Sequence, residues 1–309
     1  MALNYTTSRL LSDIKRLGHF PTNQNTFQDS DLLALYDYEL QTYVVPMLMK
    51  VREEFFTRHV DITLDPANGR YPIPERAIGS RLGDVQLVIG NYIEQLRLVQ
   101  IGQLDSEVGS PVGARAFTIQ GNDIVLIPVP TSGILRVYYH TRPSQLVATS
   151  ACGQILSINT GLNQVVVGSV PSTFTLSSTL DLVSNTSGFD TEGEDLTLAN
   201  LTGTTLTFNE TLPTNLQVGD WVCLAQQSPI AQIPVEVMPL LTQAVVVKVY
   251  EIQGYDSKVD QAAKKLQQMQ TDLMALITPR VEQAPKTINA PKNDVTVSTR
   301  FGFNRFRRY

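Results

Sequence analysis

Two helical patterns bracket everything else in this chain and fix the order in which its parts can assemble. The first, "DSDLLALYDYELQTYVVPMLMKVREEFFTRHV", opens on Asp29, Ser30 and Asp31. Side chains of these types cap the free N–H groups of a first turn, and an acid there favours the positive helix end. Leu32, Leu33, Tyr36, Leu40, Tyr43, Val44, Met47, Leu48, Val51 and Phe55 then recur at the spacing of a buried helical stripe. Pro46 falls inside the pattern; without an N–H it is expected to kink the helix. A shorter helix upstream, "TTSRLLSDIKRLG", is expected to stop at Gly18.

The second pattern is a pair. "EVMPLLTQAVVVKVYEIQ" takes Pro239 in its first turn and ends at Gly254. "SKVDQAAKKLQQMQTDLMALI" places Val259, Ala262, Ala263, Leu266, Met269, Leu273, Leu276 and Ile277 on one face, with Lys and Gln opposite. Thr278-Pro279 stops it. The early and late helices are expected to pack together, with the intervening chain inserted between them. Tyr36, Leu40, Tyr43, Met47, Val51, Leu266, Met269 and Leu273 are the candidates for that packing or for a contact between subunits.

Between the helices the texture is β. "VQLVIG", "EQLRLVQIG", "AFTIQGNDIVLIP" and "GILRVYYHTRP" read as strands, and Gly121-Asn122 marks a hairpin turn. A second block is rich in Ser, Thr, Asn and Gly; "STFTLSS", "DLTLANLTG" and "TTLTFN" alternate as short strands do. Its last strand carries the only Trp, after a Val218-Gly219-Asp220 turn. The predicted fold is therefore α+β. N-terminal helices (1–60) are followed by an antiparallel β unit (61–146) and an inserted small barrel or sandwich (147–228). C-terminal helices (229–280) and an extended tail (281–309) complete it.

Motifs of catalysis are missing. The sequence has no GxxxxGK[ST], GxGxxG after a strand, GxSxG or HExxH. His19, His59 and His140 stand alone, and Cys152 and Cys223 have no ligand-spaced partner and read as two buried thiols. The closest approach to a metal site is Asp190, Glu192, Glu194 and Asp195 in "DTEGED". It lacks EF-hand spacing and reads as a solvated acidic loop. No enzyme activity, cofactor or metal is expected. No apolar run is long enough to span a membrane, and "MALNYTTSRLLSDIKR" lacks the apolar core of a signal peptide.

Charge is distributed unevenly. From Pro143 to Val247 there is no Lys or Arg but eight acids, whereas residues 286–309 carry six bases and one acid, Asp294. With a total of −5, the tail holds +5 and the body −10. Evenly spaced Pro279, Pro285 and Pro291 read as an extended tether. Beyond it, Val295, Val297, Phe301 and Phe303 alternate as on one face of a strand. Arg300, Arg305, Phe306, Arg307, Arg308 and Tyr309 surround and follow them. A lone amphipathic strand on a tether suits another protein's sheet edge or groove, and many such tails on one assembly would bind far better than one. Single-stranded nucleic acid is the competing partner for Arg–aromatic sequence, but the acidic body opposes it.

The order of these features resembles head–tail connector (adaptor or neck) proteins of tailed bacteriophages. The stretches that carry the resemblance are "DSDLLALYDYELQTYVVPMLMKVREEFF", "RYPIPERAIGSRLGDVQLV", "LRVYYHTRPSQLV" and the run from "GDWVCLAQQSPIAQIPVEVMPLL" to "LMALITPR". The Ser/Thr-rich block lies outside it and looks like an insertion. The resemblance implies a virion protein whose helical core forms a homo-oligomeric ring, usually of twelve subunits. Its C-terminal extension, here Val295 to Tyr309, would dock into the portal protein, and its β parts would meet a tail, nozzle or terminator protein. DNA would cross the ring without sequence-specific binding, as an acidic channel allows. A baseplate, collar or fibre-attachment component, its β block holding a partner or glycan, is the alternative.

Overall fold

In the computed structural model, residues 5–18, 27–100, 116–128, 132–186 and 190–278 are described. They form a mixed α+β fold with three hydrophobic cores, one among helices and two among strands.

The helical core gathers α1 (Thr7–Leu17), α2 (Asp29–Glu39), α3 (Val45–Val51), α4 (Met238–Gln253) and α5 (Asp256–Ile277). At its centre lies α4, where Leu240, Leu241, Ala244, Val245, Val246 and Val249 are all buried. A run of β-branched residues is a poor helix former alone; burial on every side overrides that preference. Gly254 ends α4 with φ 72°, a conformation only glycine enters without cost. Tyr36 donates its hydroxyl to the Leu10 carbonyl (2.8 Å), tying α2 to α1. The Gln243 amide donates to the Ala262 carbonyl (3.2 Å), tying α4 to α5.

Pro46 marks a change in the helical pattern. The chain passes through a wide π turn, Leu40–Val44, and Pro46 then sits in the first turn of α3. A π turn re-pairs the carbonyls around the missing N–H. The N-terminus of α2 also begins one residue early: the Gln28 N–H donates to Asp31 Oδ2 (2.9 Å).

The first β unit is a sandwich. One antiparallel sheet orders β1 (Thr57–Thr63), β8 (Ile134–Thr141), β3 (Ala77–Ile89) and β4 (Tyr92–Gln95). The other orders β2 (Arg70–Pro72), β7 (Asp123–Ile127), β6 (Ala116–Gln120) and β5 (Arg97–Leu98). Val85, Leu87, Leu135 and Val137 from the first sheet meet Tyr71, Phe117, Ile124 and Leu126 from the second.

The Ser/Thr-rich block closes on itself. Strands β10 (Gly153–Asn159), β11 (Gln164–Val167), β14 (Thr205–Phe208), β13 (Thr191–Thr202), β12 (Thr179–Val183) and β15 (Trp221–Leu224) run in that order around a closed barrel. Ile155, Val165, Leu180, Leu182, Leu206 and Val222 fill it. Closure pairs every strand edge, so a sequence thin in large residues still satisfies its backbone. The chain enters through β9 (Gln145–Leu146) and leaves through β16 (Gln227–Ser228), which pair in parallel.

Candidate functional site

The sandwich is joined to the barrel around Arg76, which lies in the turn before β3 and is 8% exposed. Its Nη1 and Nη2 donate to the two carboxylate oxygens of Asp181 on β12 (2.8 and 2.9 Å), and Nη2 also reaches Asp195 Oδ1 (2.6 Å). Asp181 is fully buried, and its oxygens also accept the N–H groups of Gln226 (2.8 Å) and Asp195 (3.0 Å). Burial opposes the Arg76 charge, but the bonds to Asp181 and Asp195 outweigh it and hold the guanidinium above its ordinary range. Beside it, Arg58 of β1 pairs with Asp190 (2.6 Å). A sandwich loop thus grips the barrel wall by a buried, charge-assisted pair, and a strand adds a more exposed one.

This geometry corrects the reading of "DTEGED" as a solvated loop. Thr191 to Asp195 belong to β13, and Asp195 takes φ 55° where the β12–β13 register shifts. Aspartate tolerates that left-handed position, and the bulge brings Glu194 and Asp195 to Arg76. Burial pushes the Glu194 carboxyl up despite the opposing pull of Arg76 and Arg58. Glu192 is held up by burial and Asp190, and it accepts a bond from Asn215. No group of three or more His, Cys, Asp or Glu among the described residues has the geometry of a metal site. Nothing in the sequence marked Arg76 as the partner, because the contact spans 105 positions.

Of the candidate helix residues, Tyr36, Leu40, Met47 and Leu273 are buried in the helical core; Tyr43, Val51, Leu266 and Met269 pack partly buried against it. The Tyr43 hydroxyl donates to Gln270 Oε1 (3.0 Å), joining the early and late helices. Leu276, placed by periodicity on the same face, is 68% exposed. His140 is buried with Nδ1 3.5 Å from the Thr57 hydroxyl, and His59 stacks near Tyr138; His19 lies outside the described residues. Cys152 and Cys223, distant in sequence, are neighbouring buried free thiols, and burial pushes Cys223 up. Val295, Val297, Arg300, Phe301, Phe303, Arg305, Phe306, Arg307, Arg308 and Tyr309 all lie outside the described residues. No described helix is long and apolar enough to cross a membrane.

Three packed cores, the sandwich tied to the barrel by buried charge and the barrel to the helices by shared apolar surface, define an α+β structural protein. The particular protein family follows from comparison with known families: the chain belongs to the SU10 adaptor protein family, matched over residues 19–186, more than half its length. That is a family of phage head–tail adaptor proteins, structural components of the virion. The matched span covers α2, α3 and the sandwich, and it continues into the barrel through β12. No curated protein matches the chain.

Proposed function

We propose that this adaptor acts as a ring, of twelve copies by analogy with the head–tail connectors it resembles, that seats beneath the portal and joins it to the tail. The observation that carries the docking role is the tail sequence: Val295, Val297, Phe301 and Phe303 alternate along a segment rich in arginine, behind a proline-spaced tether. An extended strand gains main-chain bonds from a sheet edge and specificity from alternate side chains. Arg300, Arg305, Arg307 and Arg308 add charge-assisted bonds to an acidic rim. Repeated around a ring, marginal single contacts sum to stable docking.

Contacts between copies fall to the half-exposed Tyr43, Val51, Leu266 and Met269 and to the exposed Tyr38 and Leu276. Tyr36, Leu40, Met47 and Leu273 are already used inside one chain. The negative body would let DNA pass without adhesion.

Removing residues 286–309 tests the docking role. The truncated chain should keep the thermal midpoint of the full chain yet fail to join portal-bearing heads in an in vitro assembly reaction. Unchanged joining would overturn the docking role, and electron microscopy of the joined particles would count the subunits.

A further inference from the structure

A cleft of about 580 Å³ opens where helices, sandwich and barrel meet, and Asp37, Gln41, Arg142, Gln145, Gln226 and Gln227 line it. Arg142 is the last basic residue before a long acidic stretch; none follows until Lys248. Every other described arginine has a partner, among them Arg9 and Arg16 with Asp13, Arg58 with Asp190, and Arg136 with Asp61. The Arg142 guanidinium has no ion pair and no hydrogen bond among the described residues.

Its base is nonetheless fixed. The Arg142 N–H donates to the Arg76 carbonyl (2.7 Å), and the following Pro143 restricts the backbone further. Pro143 accepts the Gln41 amide (3.1 Å), and the Ser144 N–H donates to Gln232 (2.8 Å). A cation rooted this firmly loses less freedom on binding than one on a loose loop. Asp37, on α2, lines the same cleft without pairing to Arg142, and its carboxylate accepts one long bond from the Leu146 N–H (3.4 Å). The side-chain amides of Gln145, Gln226 and Gln227 have no partners among the described residues.

A separated cation and anion flanked by free amides do not suit a bare anion or a phosphate backbone, which would offer no donor to Asp37. They suit a ligand carrying both a carboxylate and an N–H. We propose that this cleft binds an acidic residue within an extended segment of a partner protein. The carboxylate meets the Arg142 fork, the same residue's main-chain N–H meets Asp37, and flanking peptide groups meet the glutamine amides. This site is independent of the C-terminal tail and of how many copies assemble.

The test is a nuclear magnetic resonance titration of the full chain, with labelled arginine and glutamine side chains. Three probes are compared: N-acetyl-glutamate N-methylamide, its glutamine counterpart, and glutarate. The glutamate probe should shift the Arg142 Nε–H and the three glutamine amides saturably. The glutamine probe should bind at least about tenfold more weakly, as loss of one charge-assisted pair predicts. Glutarate, which keeps the carboxylate but sets a second carboxylate instead of an N–H against Asp37, should also be weaker. Arg142→Gln should abolish the preference for glutamate over glutamine, and Asp37→Ala the preference for glutamate over glutarate, both with an unchanged circular dichroism spectrum. Equal affinities for the three probes, no saturable shift, or undiminished binding by Arg142→Gln would each overturn the assignment.

Discussion

Asp181 accepts four hydrogen bonds while fully removed from water: two from Arg76 and one each from the N–H groups of Gln226 and Asp195. A buried ion pair of this kind says little about net stability against an apolar replacement, but removing one member strands the other. Asp181→Ala should therefore cost about 3–5 kcal/mol in urea unfolding, and a loss below about 1 kcal/mol would mean that Arg76 finds solvent instead. Glu39 is the opposite case, a carboxylate 6% exposed whose Oε1 has no hydrogen-bond partner among the described residues. Burial raises its carboxyl above the ordinary value, with Lys248 pulling partly back. Its folded form thus holds the proton more tightly than its unfolded form. That stability is fully present below the unfolded value and is lost as pH rises through the folded one. Glu39→Gln should then melt higher than the parent chain at neutral pH, and the gap should close as pH falls toward about 4. A gap independent of pH would rule out titration of Glu39 as its cause.

Among the elements, helix period located α2, α4 and α5, because each must bury a continuous stripe against the others. Turn residues located the hairpin of β6 and β7, at Gly121-Asn122, and the Trp221 strand, after Val218-Gly219-Asp220. What periodicity could not carry was the end of a stripe. Leu276 keeps the spacing of Leu273 and Ile277, yet among the described residues it stays exposed while they are buried. The π turn before Pro46 was equally hidden, since a proline states that one bond is lost and not how the neighbouring carbonyls recover. The carboxylates of β13 looked solvated because their partner, Arg76, arrives from another sheet. Substitution separates the buried from the merely periodic. Leu241→Ala, at the fully buried centre of α4, should cost about 2–5 kcal/mol. Leu276→Ala should stay within about 0.5 kcal/mol, as read from chemical denaturation midpoints. A comparable loss at Leu276 would show that α5 packs against something beyond the chain's own core.

At the scale of the whole molecule, the question is which parts unfold together. The barrel has its own filling, but Cys152, Val183, Trp221 and Cys223 at its base belong to the helical core. Barrel and helices therefore share buried surface, and neither can open without exposing the other. The sandwich differs, because its core is made of its own strands and the turns between them, and β3 sends Ile78 against the helical core. Its buried, charge-assisted hold on the barrel is the Arg76 cluster, supported by the more exposed Arg58–Asp190 pair. Cooperative unfolding needs coupling between parts that exceeds the difference in their own stabilities. Arg76→Ala removes the guanidinium and leaves Asp181 buried beside a barrel that no longer grips the sandwich. Scanning calorimetry of the parent chain should show one dominant transition over residues 5–278. The variant should split it into a sandwich transition and a helix–barrel transition, with the Trp221 fluorescence change following the latter. A single, merely shifted transition in Arg76→Ala would place the coupling elsewhere, in the β8–β9 connection or in the packing of Ile78 on the helical core. A split that also appeared in Arg58→Ala would assign it to the charge cluster as a whole rather than to Arg76.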